Sequence, residues 1–384
     1  MNKRIRGTTF SKRAAACAMS VLVAGSMCFP SFAFAVVSID DTELVQGANQ
    51  VGGGTATLGD STLDMANVKA NKFATDEDLT INFNGGNDIE QTEVSGSATV
   101  EMNFEGENKV EDIVAKDDSD LTINANGHNE FEEATAQDNA DLTINVTGEN
   151  SFEEIRGYDN ADVTIQGTEC QKKDTINLGD DEEHTSIRTQ NGNLNIDHVT
   201  VNLKGKEVVV GSDKGNVNID TSKLAKDGDN EYTRIHAGGK MRISESVIDI
   251  KGTISSIDKM TINHSDVKAK EPDAKKHNDG PYRIWSKAGI DLIDEGNGEV
   301  KQGKLFGEDV FYVDTGDGRD VDLRADGDPG YYKCGDDDDH ESDNDSRRKL
   351  AKTTDAGTNW VALCGAGISA LAASHILRRR NKVN

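Results

Sequence analysis

The sequence predicts an all-β fold, a right-handed, three-faced parallel β-helix with about 21 residues per coil. Three observations support this fold: a repeat with a constant step, apolar residues that alternate with polar ones inside each copy, and turn residues at constant offsets. Stacked coils bury a continuous apolar core that no single coil can bury alone. The regular apolar spacing also argues against disorder, although the chain is acidic, with a formal net charge of -27.

The first repeat covers residues 58–170 and has a step of about 21 residues. Each copy begins with two apolar residues separated by a polar one, which is the period of a β-strand. The lead residues are Leu79, Val100, Leu121, Leu142 and Val163, with Leu58 as a weaker copy upstream, and a second short strand contains Ile89, Val110, Phe131 and Phe152. Asn87, Asn108, Asn129 and Asn150 lie in the turns between these strands. We expect their amides to form a ladder from coil to coil.

A looser repeat follows over residues 171–325. Its strands start at Leu194, Val217, Met241 and Met260, and a fifth copy begins at Ile284. The uneven spacing indicates loops inserted at the corners. The pattern predicts coils from about Leu58 to about Leu323, after an N-terminal cap region at 36–57. A leucine-rich repeat is the alternative solenoid, although its L-x-x-L-x-L-x-x-N pattern is missing.

Residues 1–35 have the features of a secretory signal peptide, with an N-terminal signal helix. A basic segment precedes an apolar run, and Ala33 and Ala35 are small residues that suit cleavage after Ala35. Export permits disulfides. Coil spacing nevertheless separates Cys170 and Cys334 by roughly 30 Å, so we expect two thiols unless the tail folds back.

The C-terminal residues 350–384 predict an anchor. The uncharged run 359–377 would span about 28 Å as a transmembrane helix, close to the thickness of a bilayer core. Arg378, Arg379 and Arg380 follow it and are expected to remain in the cytoplasm, with the folded part outside. Residues 326–349 are acidic and are predicted to form a disordered spacer.

A pentapeptide, an apolar span and a basic end occur here in that order. They resemble the L-P-x-T-G sorting signal, and its L-A-x-T-G variant, of Gram-positive cell-wall proteins. The pentapeptide is Leu350, Ala351, Lys352, Thr353 and Thr354. The resemblance implies that a sortase attacks at Thr353 and transfers the chain to peptidoglycan. Thr354 replaces glycine, and its β-branched side chain adds bulk at the leaving-group position. Without cleavage, the apolar span would hold the protein on the membrane.

Stacking also places carboxylates in columns, and like charges stacked in this way repel by roughly 1 kcal/mol per neighbour in water. One column contains Glu90, Glu111, Glu132 and Glu153, and another contains Asp120, Asp141 and Asp162. Solvent, divergent rotamers and salt are one way to offset the repulsion. Weak calcium sites are the other, because Ca²⁺ takes oxygen ligands. Calcium is the only cofactor that the sequence suggests.

The coil spacing is similar to that of the pectin-lyase-like β-helix superfamily and of bacterial surface proteins described as carrying a carbohydrate-binding domain. The resemblance covers about residues 58–323 and implies a polysaccharide ligand. The N-T-D and R-I-K motifs of the family's hydrolases are missing, so no catalytic residues are predicted. Tyr282 and Trp285 are candidates for a sugar-binding platform, and a core or corner position is the alternative for Trp285.

The sequence therefore predicts a cell-surface β-helix of a Gram-positive bacterium that acts non-catalytically as an adhesin or polysaccharide-binding protein, assisted by calcium. Expected partners are sortase, peptidoglycan, a polysaccharide or host glycan, and the membrane. The acidic charge argues against nucleic acid as a ligand. A polysaccharide lyase or glycoside hydrolase is one alternative, and a passive structural wall protein is another.

Overall fold

The computed structural model describes residues 37–168, 174–179, 184–228, 230–272, 280–316 and 319–333. These residues form a right-handed parallel β-solenoid of about nine turns with about 21 residues per coil, which confirms the predicted all-β parallel β-helix and its repeat length. None of the helices within them is long and apolar enough to cross a bilayer. The predicted signal peptide, sorting motif and transmembrane segment lie outside the described residues, as do Cys170 and Cys334.

An antiparallel cap precedes the coils. It consists of β1 (Val37–Ile39), β2 (Thr42–Glu43), β3 (Gly47–Val51) and β4 (Gly54–Leu58). Leu58 pairs antiparallel with Gly47 and Leu63, so the prediction that the coils begin at Leu58 is wrong. Apolar and polar residues alternate in the same way in antiparallel and parallel strands, so the pattern does not distinguish them. The chain reverses at a turn in which the Gly59 N–H donates to the Thr62 carbonyl.

The regular coils begin at Thr62. Their strands are β5 (Thr62–Ala66), β6 (Lys69–Thr75), β7 (Leu79–Asn84), β8 (Asp88–Val94), β9 (Thr99–Gly106), β10 (Lys109–Ala115), β11 (Asp120–Gly127), β12 (Glu130–Ala136) and β13 (Asp141–Gly157). The lead residues from Leu79 to Val163 pair in parallel register, as the repeat predicts. Four phenylalanines pack in a row inside these coils: Phe83, Phe104, Phe131 and Phe152. The first and last pairs are stacked, with ring centroids 4.1 and 4.6 Å apart, and the middle pair is edge-to-face at 5.1 Å.

The predicted asparagine ladder is confirmed. Nδ2 of each residue donates to Oδ1 of the next, at 2.9 Å from Asn87 to Asn108, 3.0 Å from Asn108 to Asn129 and 2.9 Å from Asn129 to Asn150. All four side chains are buried, so the ladder satisfies amides that water cannot reach. The glycine two residues before each asparagine has a positive φ, for example 78° at Gly85, which a side chain would disfavour.

The later coils are less regular, and most of them divide into three strands. Their strands are β14 (Val163–Gly167), β15 (Thr175–Leu178), β16 (His184–Thr189), β17 (Leu194–Asp197), β18 (Thr200–Leu203), β19 (Glu207–Ser212), β20 (Val217–Asp220), β21 (Lys223–Lys226), β22 (Tyr232–Ala237), β23 (Met241–Ser244), β24 (Val247–Ser256), β25 (Met260–Asn263), β26 (Asp266–Lys270), β27 (Ile284–Ser286) and β28 (Ile290–Ile293). The predicted strand starts from Leu194 to Met260 pair in register. The copy that begins at Ile284 is also confirmed, because β27 pairs in parallel with β24.

An antiparallel cap closes the C-terminal end. It contains β29 (Glu299–Leu305), β30 (Glu308–Asp314) and β31 (Val321–Leu323), and a single-turn helix, α1 (Gly330–Lys333), follows. Strand β30 pairs antiparallel with β27, and β31 pairs antiparallel with β26. The prediction that coils continue to Leu323 is therefore wrong. A hairpin turn at Phe306 and Gly307, with φ of 50° and 88°, reverses the chain between β29 and β30.

The predicted disordered spacer also needs correction at its beginning. Tyr331 is buried, and its hydroxyl lies 2.9 Å from Thr200 Oγ1 in β18. Disorder was predicted from the charged composition of residues 334–349 and was applied to residues 326–333 as well. That stretch contains two buried residues, Pro329 and Tyr331. Residues 334–349 lie outside the described part of the chain.

Candidate binding surface

One row of side chains runs along the outer side of the solenoid over many coils. It lies where each coil has an inward residue, an outward residue and a second inward residue, such as Ile113, Val114 and Ala115. We call it the central row. Its members pair in parallel register in this order: Glu93, Val114, Thr135, Arg156, Arg188, Gly211, His236, Ser255 and Trp285. Neighbouring members are about 4.8 Å apart. Six of the nine members are at least partly exposed and form a linear series of chemical groups, whereas Thr135, Gly211 and Ser255 are buried.

A depression of about 530 Å³ lies on the N-terminal half of this row. It is lined by Asp112, Val114, Glu133, Thr135, Gln137, Asp138, Tyr158, Asp159 and Gln190. We call it the acidic groove. Hydroxyl, amide and carboxylate groups all converge there, so the groove is suited to ligands that donate several hydrogen bonds.

The acidic groove holds carboxylates close together. Partial burial raises the pKa of Asp112, and the negative charges of Glu133, Glu132 and Glu111 raise it further. The Thr135 hydroxyl donates to Glu133 Oε1 at 2.9 Å. At the edge of the groove, Arg156 Nη1 donates to the Tyr158 hydroxyl at 2.9 Å. A ligand that brings positive charge or donors would relieve this repulsion.

The next part of the row is basic. Arg188 forms a bidentate pair with Asp213, with Nη2 2.7 Å from both carboxylate oxygens. His236 Nδ1 lies 3.0 Å from Ser255 Oγ. Burial lowers the pKa of His236, and Arg234 lowers it further. The imidazole is therefore neutral at pH 7, and the positive charge of this stretch comes from arginine.

Aromatic residues end the row. Trp285 follows Ser255 in register and lies opposite Tyr312 of β30. Tyr282 stacks on Tyr312 with ring centroids 4.0 Å apart and an interplanar angle of 16°. The two predicted sugar-platform residues thus lie at the same end of the solenoid, and only Trp285 belongs to the central row. The sequence alone did not single out Tyr312, because an antiparallel return strand brings it there.

The predicted calcium columns lie elsewhere. The pairing between coils passes directly from Val110 to Asp112, so Glu111 lies at a break in the ladder, as do Glu90, Glu132 and Glu153 in their coils. The Lys109 ammonium lies 3.3 Å from Glu111 and 3.4 Å from Glu132, which offsets part of their repulsion. Lys109 lies only two residues before Glu111 in the sequence, so this offset was available from the repeat alone.

The aspartate column differs in its partners. Asp120 and Asp141 are in register. Asp162 instead accepts hydrogen bonds from the backbone N–H and side-chain amide of Asn193. Across the described residues, no group of three or more histidine, cysteine, aspartate or glutamate side chains is arranged to hold a metal ion. Calcium binding therefore stays a prediction.

A second amide ladder lies on the outer side of the sheet formed by β7, β9, β11, the first part of β13, and β14, and sequence reasoning missed it. Each side-chain amide donates to the previous carbonyl oxygen at 2.6 to 3.0 Å. The ladder consists of Asn82, Asn103, Asn124, Asn145 and Gln166. An amide side chain recurs every 21 residues at this position, and this recurrence was the signal available in the sequence.

Comparison of the chain with models of protein families, with curated proteins and with solved structures finds no match. The resemblance to pectin-lyase-like proteins and to sortase substrates therefore remains an expectation from the sequence.

Proposed function

We propose that this protein is a surface-displayed, non-catalytic β-solenoid that binds a linear polysaccharide along the central row. One observation carries the proposal. The acidic groove, Arg188, His236 and Trp285 all lie on one line across consecutive coils. A polymer with repeating hydroxyl groups could occupy such a line, since it would meet hydrogen-bonding groups first and an aromatic side chain at the end.

The chemistry of the row favours a glycan over a protein partner. The outward positions are mostly polar, and the large exposed apolar side chains of the described residues, Val45, Ile257, Ile293 and Phe306, do not belong to the row. Protein interfaces of high affinity usually have an apolar centre. Sugar hydroxyls need both donors and acceptors, which the carboxylates, amides and guanidinium groups supply.

We expect the mature chain to be retained on a glycan array or on mucin, measured with and without calcium. Trp285→Ala combined with Arg188→Ala should weaken retention about tenfold or more, because it removes the aromatic side chain and the guanidinium from the row. Thr122→Ala, on the outer side of β11 and away from the central row, is the matched control and should leave retention unchanged.

Other outcomes separate the alternatives. Equal loss for the Thr122 variant, or no loss for the double variant, would remove the central row from consideration. Absence of retention on every glycan favours a passive wall protein. Ultraviolet-absorbing products released from pectin favour a lyase.

Display at the surface depends on the C-terminal segment, for which we propose the sorting mechanism. We expect Thr354→Gly to increase the fraction of protein bound covalently to the wall, because glycine removes the bulk next to the scissile bond. The measurement is the ratio of wall-linked to membrane-extracted protein. Lys352→Ala, at the variable position of the motif, should leave that ratio unchanged.

An intact C-terminal peptide on the mature wild-type and Thr354→Gly proteins would contradict sortase processing. The apolar span at 359–377 would then be the anchor.

A further inference from the structure

The chain folds back over the corners of the later coils after β31. We call residues 324–331 the C-terminal strap. The backbone N–H of Ala325 donates to Asp266 Oδ1 at 3.1 Å, and the backbone N–H of Asp326 donates to the Asp294 carbonyl at 2.7 Å. The strap thus crosses the last two coils within a few residues.

The strap continues toward earlier coils. The carbonyl of Asp328 lies 3.1 Å from His264 Nε2. Gly330 N–H donates to Glu245 Oε2 at 2.7 Å, and Tyr331 N–H donates to the Glu245 carbonyl at 2.9 Å. With the contact between Tyr331 and Thr200, the strap reaches back to β18.

Glu295 lies beneath the start of the strap and ends a buried ladder. Ser222 N–H donates to Ser246 Oγ at 3.1 Å, Ser246 N–H donates to Ser265 Oγ at 3.1 Å, and Ser265 N–H donates to Glu295 Oε1 at 3.0 Å. Glu295 also forms a backbone bridge with Ala325 of the strap. A carboxylate thus occupies the position that a serine hydroxyl occupies in the preceding coils.

The second oxygen of this carboxylate is unsatisfied. Glu295 Oε2 is buried and has no hydrogen-bond partner. Burial raises the pKa of Glu295 to about 7, and the charges of Asp266 and Asp294 add to the rise, whereas the Ser265 N–H and His264 oppose it. The charged groups that act on Glu295 come from the β25–β26 corner and from its own loop: His264, Asp266 and Asp294. The strap adds three charged residues whose backbone contacts the neighbours of Glu295: Arg324, Asp326 and Asp328.

We propose that the C-terminal strap is a pH-sensitive clamp, docked on the solenoid while Glu295 is protonated and released when Glu295 is ionised. Ionisation places a charge on an oxygen that has no donor, and lifting the strap lets water reach it. Protonation is favoured in the docked state, so docking is firmest below about pH 4.5 and weakens as the pH rises through about 7.

Release would lengthen the tether between the solenoid and the C-terminal anchor by on the order of 25 Å. This role as an adjustable tether rests on the proposed surface display. The docking equilibrium of the strap does not, so the tether role and the docking equilibrium can fail separately.

Hydrogen exchange of the purified mature chain tests the clamp. After correction for intrinsic exchange rates, we expect the strap amides of Asp326, Gly330 and Tyr331 to be about tenfold less protected near pH 8 than near pH 5. Glu295→Gln should abolish this difference, because glutamine mimics the protonated acid. Glu107→Gln, at an exposed site on the regular coils, should retain it.

Equal protection at both pH values in the wild-type chain would overturn the proposal, as would an unchanged pH difference in Glu295→Gln. His264→Gln separates the two titratable groups. If that variant loses the pH difference while Glu295→Gln keeps it, histidine and not Glu295 controls the strap.

Discussion

Replacing Phe104 by alanine should lower the free energy of unfolding by about 3–5 kcal/mol, the usual cost of emptying a large buried aromatic site. Phe104 is fully buried and lies between Phe83, at 4.1 Å between ring centroids, and Phe131, at 5.1 Å. The stacked backbones above and below cannot collapse into the space without breaking register. Denaturant unfolding followed by circular dichroism measures the change.

The matched control is Phe104→Leu, which keeps most of the volume and should cost roughly 1–2 kcal/mol. If both variants lowered the free energy of unfolding by the same small amount, the row of phenylalanines would not be what holds the regular coils together.

Replacing Asn129 by alanine should lower the free energy of unfolding by about 2–3 kcal/mol, because it leaves buried polar groups without partners. Asn129 donates from both its backbone N–H and Nδ2 to Asn150 Oδ1, and its own Oδ1 accepts from Asn108. In the variant, the Asn108 amide loses that acceptor where water cannot replace it. Denaturant unfolding provides the measurement.

Asn124→Ala is the control for this ladder. Asn124 also bridges coils through amide hydrogen bonds, to Asn103 at 2.7 Å and from Asn145 at 2.6 Å. Its ladder lies on the outer side of the sheet, where water can take over, so we expect a loss under about 1 kcal/mol. A loss as large as that of Asn129→Ala would show that burial is not what makes the inner ladder important.

The regular coils were predictable because chemistry repeats in them with the same step. Asn87 to Asn150 recur at one offset, and stacking turns that offset into hydrogen bonds. The ends were not predictable in this way. Leu58 and Leu323 satisfy the apolar pattern, but both belong to antiparallel strands, and alternation carries no information on strand direction.

The central row was predictable only in part. Trp285 was singled out as a rare aromatic residue, whereas Arg188 and His236 have no local signal that separates them from other surface residues. Their alignment depends on insertions between coils, because the steps along the central row from Arg156 to Ser255 are 32, 23, 25 and 19 residues. Tyr331 was missed because its partner Thr200 is 131 residues away.

The two antiparallel caps have a consequence for neighbouring copies of the protein. A parallel solenoid that ended at an open coil would present unpaired N–H and carbonyl groups to the next molecule, a template for aggregation by strand addition. Here β1 and β4 cover the first coil, while β30 and β31 cover β27 and β26. Strand β2 has only two residues and β31 only three, which leaves little edge to extend. Many copies could therefore crowd together without fusing into fibres through these ends.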